Sequence, residues 1–204
     1  MIIWVIDPSL SHRLVRAELN IHIQNPITKM NKFLTLTATT LAATLALAPA
    51  AKAVNVDPGH MALAQAIVST GLDLKINPAA CFTKTDTHGW YWAARRELVI
   101  CQENATQIGV EVRWTSEDFD TLRHEAHHLA QDCVDGSTDG DIQNIYKNSP
   151  AFVTSVLSQR NIGSIIDSYI DRGEATVRTE LEAFAVAAVN DTAEQVRDIK
   201  NYCF

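Results

Sequence analysis

The chain carries no block of basic residues, no C-x-x-C pair, no internal repeat, no low-complexity tract and no Pro/Gly-rich linker. Each absence removes something. Without a basic cluster, and with 24 Asp+Glu against 17 Lys+Arg, the electrostatic surface that nucleic acid or an anionic membrane needs is missing. Without C-x-x-C, the four cysteines do not have the spacing of a thiolate metal site. Without a linker there is no reason to divide the chain into two folded domains. The longest apolar run, residues 33–47, is too short and too weakly apolar for a membrane span.

That run has another use. Met30-Asn31-Lys32 opens a short positive region before it, and Ala51-Lys52-Ala53 follows as an A-x-A cleavage site. Together they form the pattern of a secretory signal peptide over residues 30–53. Residues 1–29 are then an upstream stretch from a mis-assigned start, with Met30 as the initiator; a genuine N-terminal extension with an internal anchor is the alternative. Cleavage near Ala53 leaves residues 54–204, enough for one domain with a core. It sends the protein to the periplasm or the extracellular space. The mature part carries 12 basic against 22 acidic residues, a net charge of −10.

All four cysteines, Cys81, Cys101, Cys133 and Cys203, fall in that part. An even number in an exported chain points to two disulfides, with three possible connectivities. Cys81–Cys101 and Cys133–Cys203 is the preferred pairing. The first ties a local hairpin; the second fastens the C-terminus to the helix described next.

His124-Glu125-Ala126-His127-His128 spells H-E-x-x-H. On a helix, His124 and His128 project from one face with Cβ atoms ~5–6 Å apart, a spacing that lets two imidazoles share one metal ion. Glu125 points elsewhere round the helix, where a carboxylate can take a proton from a metal-activated water. The flanks support the helix. Thr115 to Asp118 has capping-box form, with acids in the first turn. Phe119, Leu122, Ala126, Leu129 and Cys133 recur as an apolar stripe opposite the two histidines. His127 reads as a neighbour on the cleft side, a spectator or a substrate contact, and Gln131 is open to the same readings.

Around this helix the pattern gives an α+β architecture, a small sheet before it and helices after. Asp57-Pro58 starts a helix that Gly71 stops, and Asn77-Pro78 marks a turn. Residues 89–93 and 98–101 read as a β-hairpin, with a third short strand over residues 109–113. An acidic loop, residues 135–141, leads to helices begun by Ser149-Pro150 and Arg172-Gly173 and a last one capped at Asn190-Asp191-Thr192.

A catalytic zinc usually has three protein ligands. No histidine follows His128, so the candidates are acidic: Glu174, Glu180 or Glu182, all in the helix over residues 174–189, with an Asp or no third protein ligand as the alternatives. Glu180, at the boundary of that helix's apolar stripe, is slightly favoured, and Glu182 lies on its other flank.

The chain resembles gluzincin-type zinc metallopeptidases, in which H-E-x-x-H on one helix is completed by a Glu on a later helix, in several families in an E-x-x-A setting. Glu180-Leu181-Glu182-Ala183 matches that setting. The resemblance implies one Zn²⁺ per chain held by His124, His128 and Glu180, with Glu125 as general base. It also implies a zincin-like fold acting on peptides or proteins (peptidoglycan peptides included). An edge strand, near residues 108–113 or in the 90–101 hairpin, would hold the substrate extended. Gln131 and Val134 stand where the metzincin pattern requires Gly and His, and Phe184 replaces the Asp that often follows E-x-x-A. Tyr146, Tyr169 and Arg178 are candidates for stabilising the oxyanion. The rival reading is a zincin-like domain that binds metal or a partner without catalysis.

Overall fold

The computed structural model describes residues 55–84, 86–189 and 191–204; the expected signal peptide and cleavage site, the upstream stretch and the expected cap at Asn190 lie outside them. Helix α1 (Pro58–Ser69) begins where expected: the Asp57 carboxylate accepts from the Gly59 and His60 amides, and proline occupies the first turn. Gly71, at φ +82°, turns the chain out of the helix.

Three short strands follow, β1 (Asp73–Ile76), β2 (Gly89–Trp92) and β3 (Glu97–Ile100), in the order β1-β3-β2. β3 pairs in parallel with β1 and antiparallel with β2. The hairpin was legible; β1 was not, since four residues with a central lysine make a weak strand pattern. Residues 109–113 form no strand. Their backbone groups are taken by side chains instead: Asn77 donates to the Val110 carbonyl, and the Gln102 side chain bonds both the Val112 amide and the Val112 carbonyl.

The alternation of side chains along the strands builds two layers. Tyr91, Leu98 and Ile100 face the main core with Leu63 and Ile67 of α1, and with Leu122, Ala126 and Leu129 of α2 (Ser116–Asp132). Trp90 and Val99 face the other way, against Cys101 and its partner Cys81. α2 starts with a complete capping box between Thr115 and Asp118. After it come α3 (Ser149–Val156), α4 (Gln159–Tyr169), α5 (Glu174–Val189) and α6 (Thr192–Tyr202). Where the sequence suggested one helix after Ser149, the chain makes two, because Ser158 caps a fresh start. α3, α4 and α5 share a second core around Val153, Ile165, Tyr169 and Val177.

Both expected disulfides are present. Cys133–Cys203 joins the end of α2 to the end of α6. Cys81–Cys101 fastens the helical turn after β1 to the end of β3, rather than closing the β2–β3 hairpin.

Candidate metal centre

The apolar stripe of α2 was expected to be buried and its histidine face to line a cleft. The helix is in fact buried on every side from Thr121 to Asp132. The main core takes the stripe, and α5 covers the histidines. His124, Glu125, His128 and Glu180 are each 0% exposed.

Within that dry interior three side chains converge. His124 Nε2 and His128 Nε2 are 2.9 Å apart. Glu180 Oε2 lies 3.3 Å from the first and 3.6 Å from the second, off the hydrogen-bonding line of either ring. Ligands at 2.0–2.1 Å from one tetrahedral ion stand about 3.3 Å from one another, so the three edges fit a single ion of zinc's size. The donor set, two nitrogens and one oxygen, also suits zinc. Neither oxygen of Glu180 makes a hydrogen bond, a costly arrangement for a buried carboxylate unless a cation faces it. Among the described residues this is the one group of three or more His, Cys, Asp and Glu side chains close enough to hold a metal.

The electrostatics of the bare chain agree. Burial opposes charge on Glu180, but the His128 and His124 rings beside it hold its carboxyl low. Burial likewise opposes charge on His128, and Glu180 outweighs it and raises the imidazole above its ordinary value. Burial and the neighbouring His128 push His124 down. The cluster therefore attracts a positive charge to its centre.

Glu125 sits one residue on, against β2. A Cβ on Gly89 would come within 2.6 Å of the Val99 carbonyl and 2.7 Å of Thr121 Cγ2, with Glu125 Cγ at 3.4 Å. Only glycine permits so close an approach of strand and helix. Neither Glu125 oxygen makes a hydrogen bond. Burial pushes its carboxyl up to about 8, against the pull of His128 and the Tyr91 backbone. Such a value suits a group that takes and returns protons near neutral pH.

The family model described as a domain of unknown function, DUF8637, matches residues 33–204. The chain belongs to that family. No curated protein and no solved structure matches it.

The remaining candidates separate cleanly. Glu182 is buried but turned away from the cluster. It accepts from His127 Nε2 at 3.1 Å, the Ile145 amide at 2.7 Å and Asn144 Nδ2 at 2.9 Å. Burial notwithstanding, those donors hold its carboxyl down to about 2. His127 is therefore the partner of a carboxylate, not a cleft contact. Glu174 lies on the surface, paired with Arg178. Among the oxyanion candidates, Arg178 belongs to that exposed pair and Tyr146 stacks on His127. Tyr169 is 2% exposed, its hydroxyl makes no hydrogen bond of ordinary geometry, and burial followed by the Glu180 and Glu125 charges drives its pKa up. Tyr169 thus borders the centre. Sequence reasoning left three candidates here because the distance from Tyr169 to Glu180 depends on how α4 packs on α5.

Proposed function

We propose that the protein is an exported, zincin-like zinc metallopeptidase. The observation that carries this reading is the convergence of two imidazole nitrogens and one carboxylate oxygen beside a second buried carboxylate, Glu125, whose oxygens make no hydrogen bond of ordinary geometry. His124, His128 and Glu180 hold the ion. When bound, such an ion polarises a scissile carbonyl and acidifies a water molecule.

The chain's own groups do the rest. Glu125 accepts the proton of the attacking water and returns it to the leaving amine. Its dry surroundings keep its basicity high and cost little reorganisation. The Tyr169 hydroxyl, beside Glu180, donates to the oxygen on which negative charge develops. β2 is one of the two edge strands of the sheet and runs beside Glu125; a peptide pairing with it lies extended across the centre. The resemblance to gluzincins supports the same assignment, and the two disulfides suit an oxidising compartment. No helix among the described residues is long and apolar enough to cross a membrane. The acidic surface favours neutral or basic substrates by steering.

One observation favours a second reading. All four central residues have no exposed surface, as in metal sites that serve structure, whereas catalytic sites keep an open position. A zincin-like domain that binds metal without hydrolysis is the alternative.

The test is metal stoichiometry and peptide hydrolysis on the purified protein. About one zinc per chain, lost in His128→Ala and Glu180→Ala but kept in Glu182→Ala, is expected. Hydrolysis lost in Glu125→Gln with zinc retained supports the enzyme. Zinc bound by a protein that hydrolyses no peptide supports the binding domain, and no zinc in the wild type overturns both.

A further inference from the structure

Gln131 sits one turn beyond His128 on α2, and like His128 it is 0% exposed. Its Oε1 is 2.8 Å from His128 Nδ1. Its Nε2 donates to two acceptors on α5, the Thr179 carbonyl at 3.1 Å and Glu182 Oε1 at 3.2 Å. Because both contacts of the nitrogen are acceptors, the amide has one sensible orientation. The oxygen then faces His128, so Nδ1 must carry a proton and donate it. Nε2 of the same ring is left directed at His124 and Glu180.

Glu182 anchors the other end. Besides Gln131 it accepts from His127 and Asn144 side chains and from the Ile145 and Tyr146 amides, the latter at 3.3 Å. A carboxylate with that many donors, from α2 and from the loop over residues 144–146, cannot rotate without breaking several bonds at once. Glu182 itself is 0% exposed, so losing these donors would leave a buried charge uncompensated.

We propose that Glu182 and Gln131 are a positioning relay. The carboxylate locks the amide, and the amide locks both the proton position and the ring orientation of His128. Glu182 thereby acts on the centre from two residues beyond Glu180, without touching it. The relay rests on the metal-centre reading only for the use made of the Nε2 lone pair. Outer groups of this kind are worth ~10–100-fold in metal affinity.

The experiment compares the wild type with Gln131→Met, which keeps the side-chain volume, and with the exchanged double variant Gln131→Glu/Glu182→Gln, which keeps one carboxylate and one amide in contact. Two quantities are read: the solvent exchange of the His128 Nδ1 proton by NMR, with and without zinc, and zinc affinity by competition with a chromophoric chelator. The expected result is a slowly exchanging Nδ1 proton in the wild type, fast exchange and ~10–100-fold weaker zinc binding in Gln131→Met, and recovery of both in the double variant. A general loss of packing would lower the melting temperature without selecting this one proton, and the double variant would not restore it. Unchanged exchange and affinity in Gln131→Met, or an unprotonated Nδ1 in the wild type, overturns the relay. A wild type that binds no zinc overturns the metal reading instead, and the Nδ1 proton still decides the relay.

Discussion

Two of the buried polar clusters on helix α2 differ in one respect. The cluster at Arg123 pairs its charged groups and leaves only an amide oxygen, Gln195 Oε1, without a hydrogen bond. Arg123 contacts His60 Nε2 at 2.7 Å, donates to the Ala187 carbonyl at 2.9 Å and pairs with Asp120, while the other nitrogen of His60 meets Asp57. Gln195 donates to the Arg123 carbonyl at 2.7 Å. These bonds tie α1, α2, α5 and α6 together. The cluster that starts at the next residue, His124, stays open: Glu125 and Glu180 keep four carboxylate oxygens without a hydrogen bond. A closed buried network is what stability requires. An open one in a protein interior calls for a ligand or for chemistry.

The comparison breaks or sharpens at four points. The largest effect is expected at Glu125. Glu125→Gln should lower peptide hydrolysis by about 10²–10⁴-fold while keeping zinc, as measured by turnover and metal content; equal turnover would remove the chemical role of the open cluster.

Arg123→Met attacks the closed cluster and should do the reverse. It strands the Ala187 carbonyl and the carboxylates, costing about 3 kcal/mol in urea unfolding, while the folded fraction still binds one zinc. A variant as stable as wild type but unable to bind metal would erase the distinction between the clusters.

Cys133–Cys203 supplies a covalent tie between α2 and α6 in parallel with the Gln195–Arg123 bond. Replacing both cysteines by serine frees a 70-residue separation and should cost about 4 kcal/mol, against about 3 for the 20-residue separation of Cys81–Cys101. Comparable midpoints for the two serine pairs would mean that the polar network alone holds α6.

The smallest effect is expected at Asp198 on α6, where the same rule operates near the surface. Its Oδ2 makes no hydrogen bond. Burial, and then the Glu194 charge, raises its carboxyl from 3.8 to about 6. The folded chain therefore holds this proton more tightly than the unfolded one, and stability falls as pH rises from about 4 to about 6. Asp198→Asn should stabilise by about 1–2 kcal/mol at pH 7, allowing for partial exposure, and by nothing below about pH 4. Denaturation at the two pH values checks it; a constant difference would remove the titration as cause.

Much of this was legible because it is local. The capping box, the four-residue histidine spacing and the proline and glycine at the ends of α1 each depend on neighbours within a turn or two. Both cysteine pairings also followed, since few connectivities were possible. The third member of the cluster was harder. Glu180 and Glu182 sit two residues apart on one helix with similar flanks. What separates them is that α2 presents His124 and His128 to one and His127 and Gln131 to the other.

The sequence by itself determined the helix, the histidine spacing on it and that its four cysteines can form two cross-links, because short-range geometry and composition suffice for these. The tertiary structure alone decided that the histidine face is sealed, that Gly89 brings β2 against Glu125, that Glu182 meets His127 and Gln131 and that Tyr169 lies near Glu180 and Glu125. Each of these is a distance between segments far apart in the chain, fixed by how helices and sheet pack rather than by any local preference.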